Sequence, residues 1–456
     1  MFRYWLLYLF LVYANSFFLN FKFGTPIKKV DKSFNISGNV SYKQRLLLKN
    51  INGFYGMIGP DVNIKEVKTL FELFTGDGNI QGVFFNNGEL HFHKHFIKTD
   101  KFVYESKNGK IPNDIFHHFL FMMLHQMKML PNKLGLANTA LLDVNKDLYA
   151  LYERDVPYLL KVDFENNKIT TEKKMKIPSH SISGHTKYNS KKDVIETLDY
   201  SVMHQQVNCL TMDKNFNIEN EKSIRTQYMP IIHDFVTVND KIIYADSPLI
   251  FDLKRLLYSS IPVYFKHYEK TYLHVYDKTT NVVDKYECQD SFFAFHYSYA
   301  LETKDKIRVY GCIYDDIDYS SLDIKGNYRC LVLDKHTKKI NVIKNERTEK
   351  YNLDFPVFCG DKVLLRSLEN KRINGFVLCD GLTIINSFVY DNRNICGEPC
   401  VIDINNIPHI ISFAYTDKEN ESYLLIINSK TGETEEIMIP ITVNIGFHSK
   451  FINKWK

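Results

Sequence analysis

The sequence has no C-x-x-C pair. Its eight cysteines are irregularly spaced, and the nearest two, Cys396 and Cys400, have no second pair to complete a site. A structural zinc or a disulfide framework is therefore not what organises the chain. Dense runs of lysine and arginine interleaved with aromatics are also missing, and the formal net charge is only +5 over 456 residues. The lysines sit in turns such as Lys173-Lys174 and Lys338-Lys339. Nucleic acid is excluded as an expected partner on that basis. No proline-, glycine- or serine-rich linker divides the chain, and no Trp-Asp or kelch signature recurs in it. Apart from one stretch there is no sustained helical period.

What is present is a hydrophobic fraction of 45% and an aromatic fraction of 14%. These values suit a well-packed globular protein, long enough for one very large domain or two to three ordinary ones. The first residues, "MFRYWLLYLFLVYANS", carry one early charge (Arg3), an apolar run and the small Ala14. Residues 1–23 read as an apolar leader, with 1–14 a signal peptide or a membrane-surface anchor. The run is short for an uncleaved span. A signal peptide would place the protein in the secretory pathway; the other readings are membrane association or a cytoplasmic protein.

Alternating strand patterns joined by polar turns dominate the rest. One motif recurs: a strand, a polar turn and a second strand. It appears as "GVFFNNGELHFHKHF" from Gly82, "YLLKVDFENNKITTEKK" from Tyr158 and "VNCLTMDKNFNIENEK" from Val207. It continues as "YLHVYDKTTNVVDKY" from Tyr272, "YRCLVLDKHTKKINVI" from Tyr328, "NGFVLCDGLTIINSF" from Asn374 and "YLLIINSKTGETEEI" from Tyr423. From Tyr158 onward the starts lie 46 to 65 residues apart. That is the length of a four-stranded blade, and seven such units predict an all-β, seven-bladed β-propeller filling residues 24–456 as one domain.

The regularity gives meaning to a histidine in "PIIHDFVTVNDKIIYADSPLIFD" that would otherwise read as a core residue. His233 follows its hairpin start by 26 residues, His185 by 27, His296 by 24 and His448 by 25; Asp354 and Glu398 follow theirs by 26 and 24. Equivalent positions in successive blades lie at equivalent radii, and the innermost strands line the axis. An insertion interrupts the count in the first unit; with it discounted, Glu153 joins the set. Four histidines and three carboxylates then face one axial point. Four imidazoles suit Fe, Cu, Ni or Zn. They would fill four positions of an octahedron and leave two open, with the carboxylates accepting the other ring N–H groups.

These same residues carry a family resemblance. "NGFYGMIGPDVN" (52–63), "FTGDGNIQGVFF" (74–85), "ANTALLDVNKDLYALYERDVPYLL" (137–160), "SGHTKYN" (183–189), the stretch around His233, "FFAFHYSYALE" (292–302), "GEPCVID" (397–403) and "GFHSKFI" (446–452) occur in that order. Together they resemble the carotenoid cleavage oxygenases, which include the retinal pigment epithelial branch. The resemblance implies a propeller holding Fe(II) through His185, His233, His296 and His448, with Glu153, Asp354 and Glu398 orienting three of them. It implies O₂-dependent scission of a carbon–carbon double bond in a carotenoid, apocarotenoid or related conjugated alkene lying in an apolar tunnel. The alternatives are a retinoid-type isomerohydrolase on the same iron site and an inactive propeller serving as a binding scaffold. The sequence departs from the family pattern at four positions. Asp354 replaces glutamate and is expected to reach its histidine through water. Thr186 replaces proline, Tyr299 replaces asparagine and Ser449 replaces glycine.

Two other stretches draw attention. "HFHKHF" sets His91, His93 and His95 on one face of a strand; a solvated face is expected there rather than a metal site. "DIFHHFLFMMLHQMKMLPNKLG" (114–135) is the one convincing helix, capped by Asp114 and stopped by Pro131. Its wide apolar surface predicts a helical insertion (114–131) over the tunnel mouth, either packed on the core or, over 115–130, in peripheral contact with a membrane. The sequence does not indicate an oligomeric state.

Overall fold

The computed structural model describes residues 29–63, 66–111, 135–177, 181–201, 204–252, 255, 262–369, 372–418 and 420–454. The leader and the 114–131 helix lie outside these residues. Among the described residues the helices are short: Tyr42–Leu48, Leu70–Phe74 and Asp100–Asn108, each capped by a Ser or Thr hydroxyl at its start. None is long and apolar enough to cross a membrane.

Almost everything else is antiparallel sheet arranged as seven blades. The first blade holds Lys32–Asn35, Glu89–Phe96, Gly78–Asn86 and Asn52–Pro60, and the C-terminal strand Ser449–Asn453 completes it by pairing with Asn52–Pro60. The second runs Ala140–Val144, Asp147–Leu151, Tyr158–Asp163, Lys168–Lys174; the third Lys187–Asn189, Val194–Ser201, Gln206–Met212, Ile218–Arg225. The fourth runs Val236–Val238, Lys241–Asp246, Thr271–Asp277, Val282–Cys288; the fifth Phe293–Glu302, Lys306–Tyr314, Gly326–Asp334, Ile340–Ile343. The sixth comprises Asn352–Cys359, Lys362–Glu369, Arg372–Asp380 and Thr383–Val389. The seventh has a divided first strand (Asn394–Ile395 and Cys400–Ile404), then Ile407–Tyr415, Ser422–Asn428 and Thr434–Ile439. The recurring hairpins are thus the outer two strands of the second to seventh blades; in the first, Lys32–Asn35 adds a further strand outside the hairpin.

A blade has two faces and each must be covered, so the core is divided among the junctions between blades. Each junction carries its own buried apolar cluster. At the closure, Tyr55, Met57, Phe85 and Phe92 of the first blade pack on Phe413, Leu424 and Ile426 of the seventh. The first strands touch one another around the axis: Phe293–Glu302 meets Asn352–Cys359, which meets Cys400–Ile404, which meets Ser449–Asn453. Positions at the same depth on these strands are thereby brought to one point.

The "HFHKHF" strand departs from expectation. His93 and His95 are buried rather than solvated, because this face packs against the second blade. His93 Nε2 lies 3.3 Å from the Ile169 carbonyl, and His95 bridges Asp31 (2.8 Å) and Thr171 (2.9 Å). Burial pushes the His93 imidazole down to about 4.

Candidate metal centre

His185 and His233 sit in the loops just before the first strands of the third and fourth blades, His448 directly before the strand that closes the first, and His296 inside Phe293–Glu302. The structure brings all four together, with ring nitrogens within 4.8 Å of one another. The Nε2 atoms of His185 and His233 are 3.0 Å apart. That is the edge of an octahedron with metal–nitrogen bonds of about 2.1 Å. Among the described residues His296 Nε2 is buried with no hydrogen-bond partner, an orphaned acceptor that a cation would satisfy. The residues present therefore fit a bound divalent metal.

Burial, followed by the neighbouring imidazoles, holds His185 and His233 well below their ordinary range. Both are thus kept in the neutral form that a metal requires.

Three carboxylates reach the outer nitrogens. Asp354 Oδ1 accepts from His296 Nδ1 at 2.7 Å, and its Oδ2 accepts from the Tyr314 hydroxyl, also at 2.7 Å. Glu398 Oε1 lies 3.1 Å from His448 Nδ1, and Glu153 Oε1 lies 3.4 Å from His233 Nδ1. Among the described residues His185 has no such contact; Asp234, the nearest acid among them, is 4.0 Å away and is engaged by Lys187 and the Phe235 amide.

The direct Asp354–His296 bond corrects the expectation of a bridging water. Both strands slip register at this point, between Ala294 and His296 and between Asp354 and Val357. Such bulges bend a strand and re-aim its side chains. Phe355, at the second bulge, adopts φ +55, a strained conformation for a bulky residue. Its ring lies under the Arg366 guanidinium (3.9 Å) and beside His296 (4.6 Å) and His448 (4.9 Å). The backbone thus makes up the missing methylene. Although burial opposes it, His296, Arg366 and Tyr314 hold the Asp354 carboxyl below the usual range.

Glu398 stands in the gap that divides the first strand of the seventh blade, with its amide bonded to the Phe447 carbonyl at 2.8 Å. Ser449 secures it twice: its amide donates to Glu398 Oε2 and its hydroxyl to the Glu398 carbonyl, each at 2.9 Å. Thr186 donates to the Ser183 carbonyl at 2.8 Å and pairs with Thr197 at 2.7 Å, closing the turn that presents His185. Tyr299 stacks on Tyr310 at 4.5 Å. Glu153 needs Gly184 opposite it, since a Cβ there would stand 3.0 Å from Oε1 and 2.8 Å from Thr139. Burial pushes the Glu153 carboxyl well above its ordinary range. Asp234, Phe355 and Arg366 were missed from sequence; only Asp234, adjacent to His233, left a visible signal.

A closed seven-bladed propeller with four histidines gathered on its axis is the class that fold and site define. The chain belongs to the retinal pigment epithelial membrane protein family, whose model matches residues 49–453. It is similar to the carotenoid 9,10(9',10')-cleavage dioxygenase 1 of Pisum sativum, at 27% identity over 89% of this chain and 85% of that one. Its fold is that of a Synechocystis apocarotenoid oxygenase glutamate variant, with TM-score 0.75, 15% identity, and coverage of 95% of this chain and 98% of that chain. The cobalt-substituted Synechocystis oxygenase superposes with TM-score 0.73 at 16% identity, covering 94% and 98%.

Proposed function

We propose that this protein is a non-haem Fe(II)-dependent dioxygenase that cleaves a carbon–carbon double bond of a carotenoid, apocarotenoid or related conjugated alkene to carbonyl products. The observation that carries the reading is the convergence of four imidazoles, three of them facing carboxylates on their outer nitrogens. Relatives named as carotenoid-cleaving dioxygenases supply the reaction class.

His185, His233, His296 and His448 would hold the iron, which when bound supplies oxygen activation. Asp354 accepts the Nδ1 proton of His296, fixing the tautomer so that the Nε2 lone pair faces inward. Glu398 does the same for His448, and Glu153 faces His233 at longer range. Phe295, 5.3 Å from His233, and Phe355 set apolar rings against the imidazoles. These rings exclude water and offer faces for a conjugated chain to lie against. The substrate is apolar, O₂ is the co-substrate, and contact with a membrane through 115–130 would let the enzyme draw such a substrate from a bilayer.

The test is metal content of purified protein beside a His233→Ala variant. About one iron per chain, lost in the variant, together with aldehyde products from a carotenoid or apocarotenoid screen, is the expected result. A folded protein that retains no iron after anaerobic Fe(II) reconstitution refutes the reading.

A further inference from the structure

A cavity of about 350 Å³ lies along the propeller axis against His185 and His448, with Lys187, Glu398 and Lys450 in its wall. A second cavity of about 660 Å³ shares Leu141, Thr186, Lys187 and Lys450 with the first and adds Asp143 and Lys146. The two share part of their walls, and the smaller reaches two of the four histidines. The charges along them are unequally matched. Lys187 is bound to Asp234 at 2.8 Å. Both Glu398 oxygens are taken, one by His448 and one by the Ser449 amide. Lys450 faces both cavities and, among the described residues, its ammonium has no hydrogen-bond or ion-pair partner. It is half-buried. Asp143 and Glu398 line the same cavities, and neither forms an ion pair with it.

A half-buried ammonium that faces a cavity and forms no ion pair with the protein keeps its charge free to meet a ligand there. An anion would be drawn to it. The geometry points to a site for a small oxyanion, of carboxylate or phosphate size, held by Lys450 in the axial cavity beside the four histidines. Lys187 lines the same cavity, but its charge is met by Asp234. This site does not depend on the oxygenase reading, since no metal takes part in it.

The experiment follows thermal unfolding of the full chain against inorganic phosphate, and separately acetate, at constant ionic strength, with iron content measured on the same samples. The wild-type midpoint is expected to rise with one of the two anions at any iron content. Lys450→Met, which replaces the ammonium with an apolar side chain, is expected to weaken that anion's apparent affinity by about tenfold or more. Lys450→Arg should retain it, and Lys430→Met, on an exposed turn, should not alter it. Bromide-soaked crystals should show an anomalous peak at the Lys450 ammonium, which locates the site even if a variant fails to fold. A wild-type midpoint insensitive to both anions overturns the proposal. So does equal sensitivity in Lys450→Met, or bromide found only on the outer surface, either of which would mean an adventitious ion only.

Discussion

Restoring the family's glutamate at position 354 is expected to weaken the centre rather than improve it. Both Asp354 oxygens are already in hydrogen bonds of 2.7 Å, one to His296 and one to Tyr314. An extra methylene carries the carboxylate about 1.5 Å further. It must then push His296 off the axis or fold back and lose a partner. Displacing packed neighbours costs about 1–3 kcal/mol, and losing a hydrogen bond to a charged group costs a similar amount, about 1.5–3 kcal/mol. Only one of these costs needs to be met. Asp354→Glu should therefore lower unfolding free energy by about 2 kcal/mol and iron affinity by about tenfold, the lower end for a residue that orients a ligand. Asp354→Asn keeps the shape but loses the charge and sets an amide donor against the Tyr314 hydroxyl; it should lower affinity further. Denaturant titration and iron retention against a graded chelator read both effects. If Asp354→Glu matches the wild type in stability and iron retention while Asp354→Asn loses iron, the bulge does not do what its geometry indicates.

Other outcomes follow from the same structure. Deleting residues 449–456 removes the strand that closes the first blade and buries Ile452; the expected result is loss of cooperative unfolding by circular dichroism, not a softened native state. Gly184→Ala puts a methyl 3.0 Å from Glu153 Oε1; iron retention should fall with little change in overall stability, and equal loss of both would refute a local effect. His93, held at about 4 by burial against an ordinary 6.5, stays neutral in the fold while the unfolded chain takes up its proton. Stability should accordingly decline as pH falls from 6.5 towards 4, by up to about 3 kcal/mol. His93→Gln should flatten that slope in denaturant titrations at pH 7 and pH 5, with no difference in slope above pH 7.

The seven hairpins were legible because the outer strands of each blade alternate cleanly and end in polar turns such as Asn87-Gly88 and Asn166-Asn167. The axial histidines were legible for a related reason: each blade returns the chain to the axis after nearly the same number of residues. That Asp354 would meet its histidine directly rather than through water was not, since the contact depends on two register slips and a positive φ at Phe355 that neither alternation nor offset records. The burial of His93 and His95 was hidden by an assumption about faces. Period-two alternation separates the two sides of a strand, but in a propeller a neighbouring blade covers each side.

Three of the four departures from the family pattern share one physical character. Thr186 spans the turn before the third blade with hydrogen bonds, Ser449 grips Glu398 at side chain and carbonyl, and the Phe355 bulge advances a shorter acid. Each change occurs in the backbone or in the shell that holds a ligand, and the ring nitrogens still converge. A scaffold that had lost its chemistry would be free to lose the orphaned His296 Nε2 first, because a buried polar atom without a partner costs stability and brings no packing in return. That it persists, backed by an acid at 2.7 Å, argues that the centre is maintained for a cation. The idle-propeller alternative predicts that His296→Leu, which strips the buried Asp354 carboxylate of a donor, lowers stability and changes nothing else. The oxygenase reading predicts the same fall in metal-free protein, but with iron binding lost.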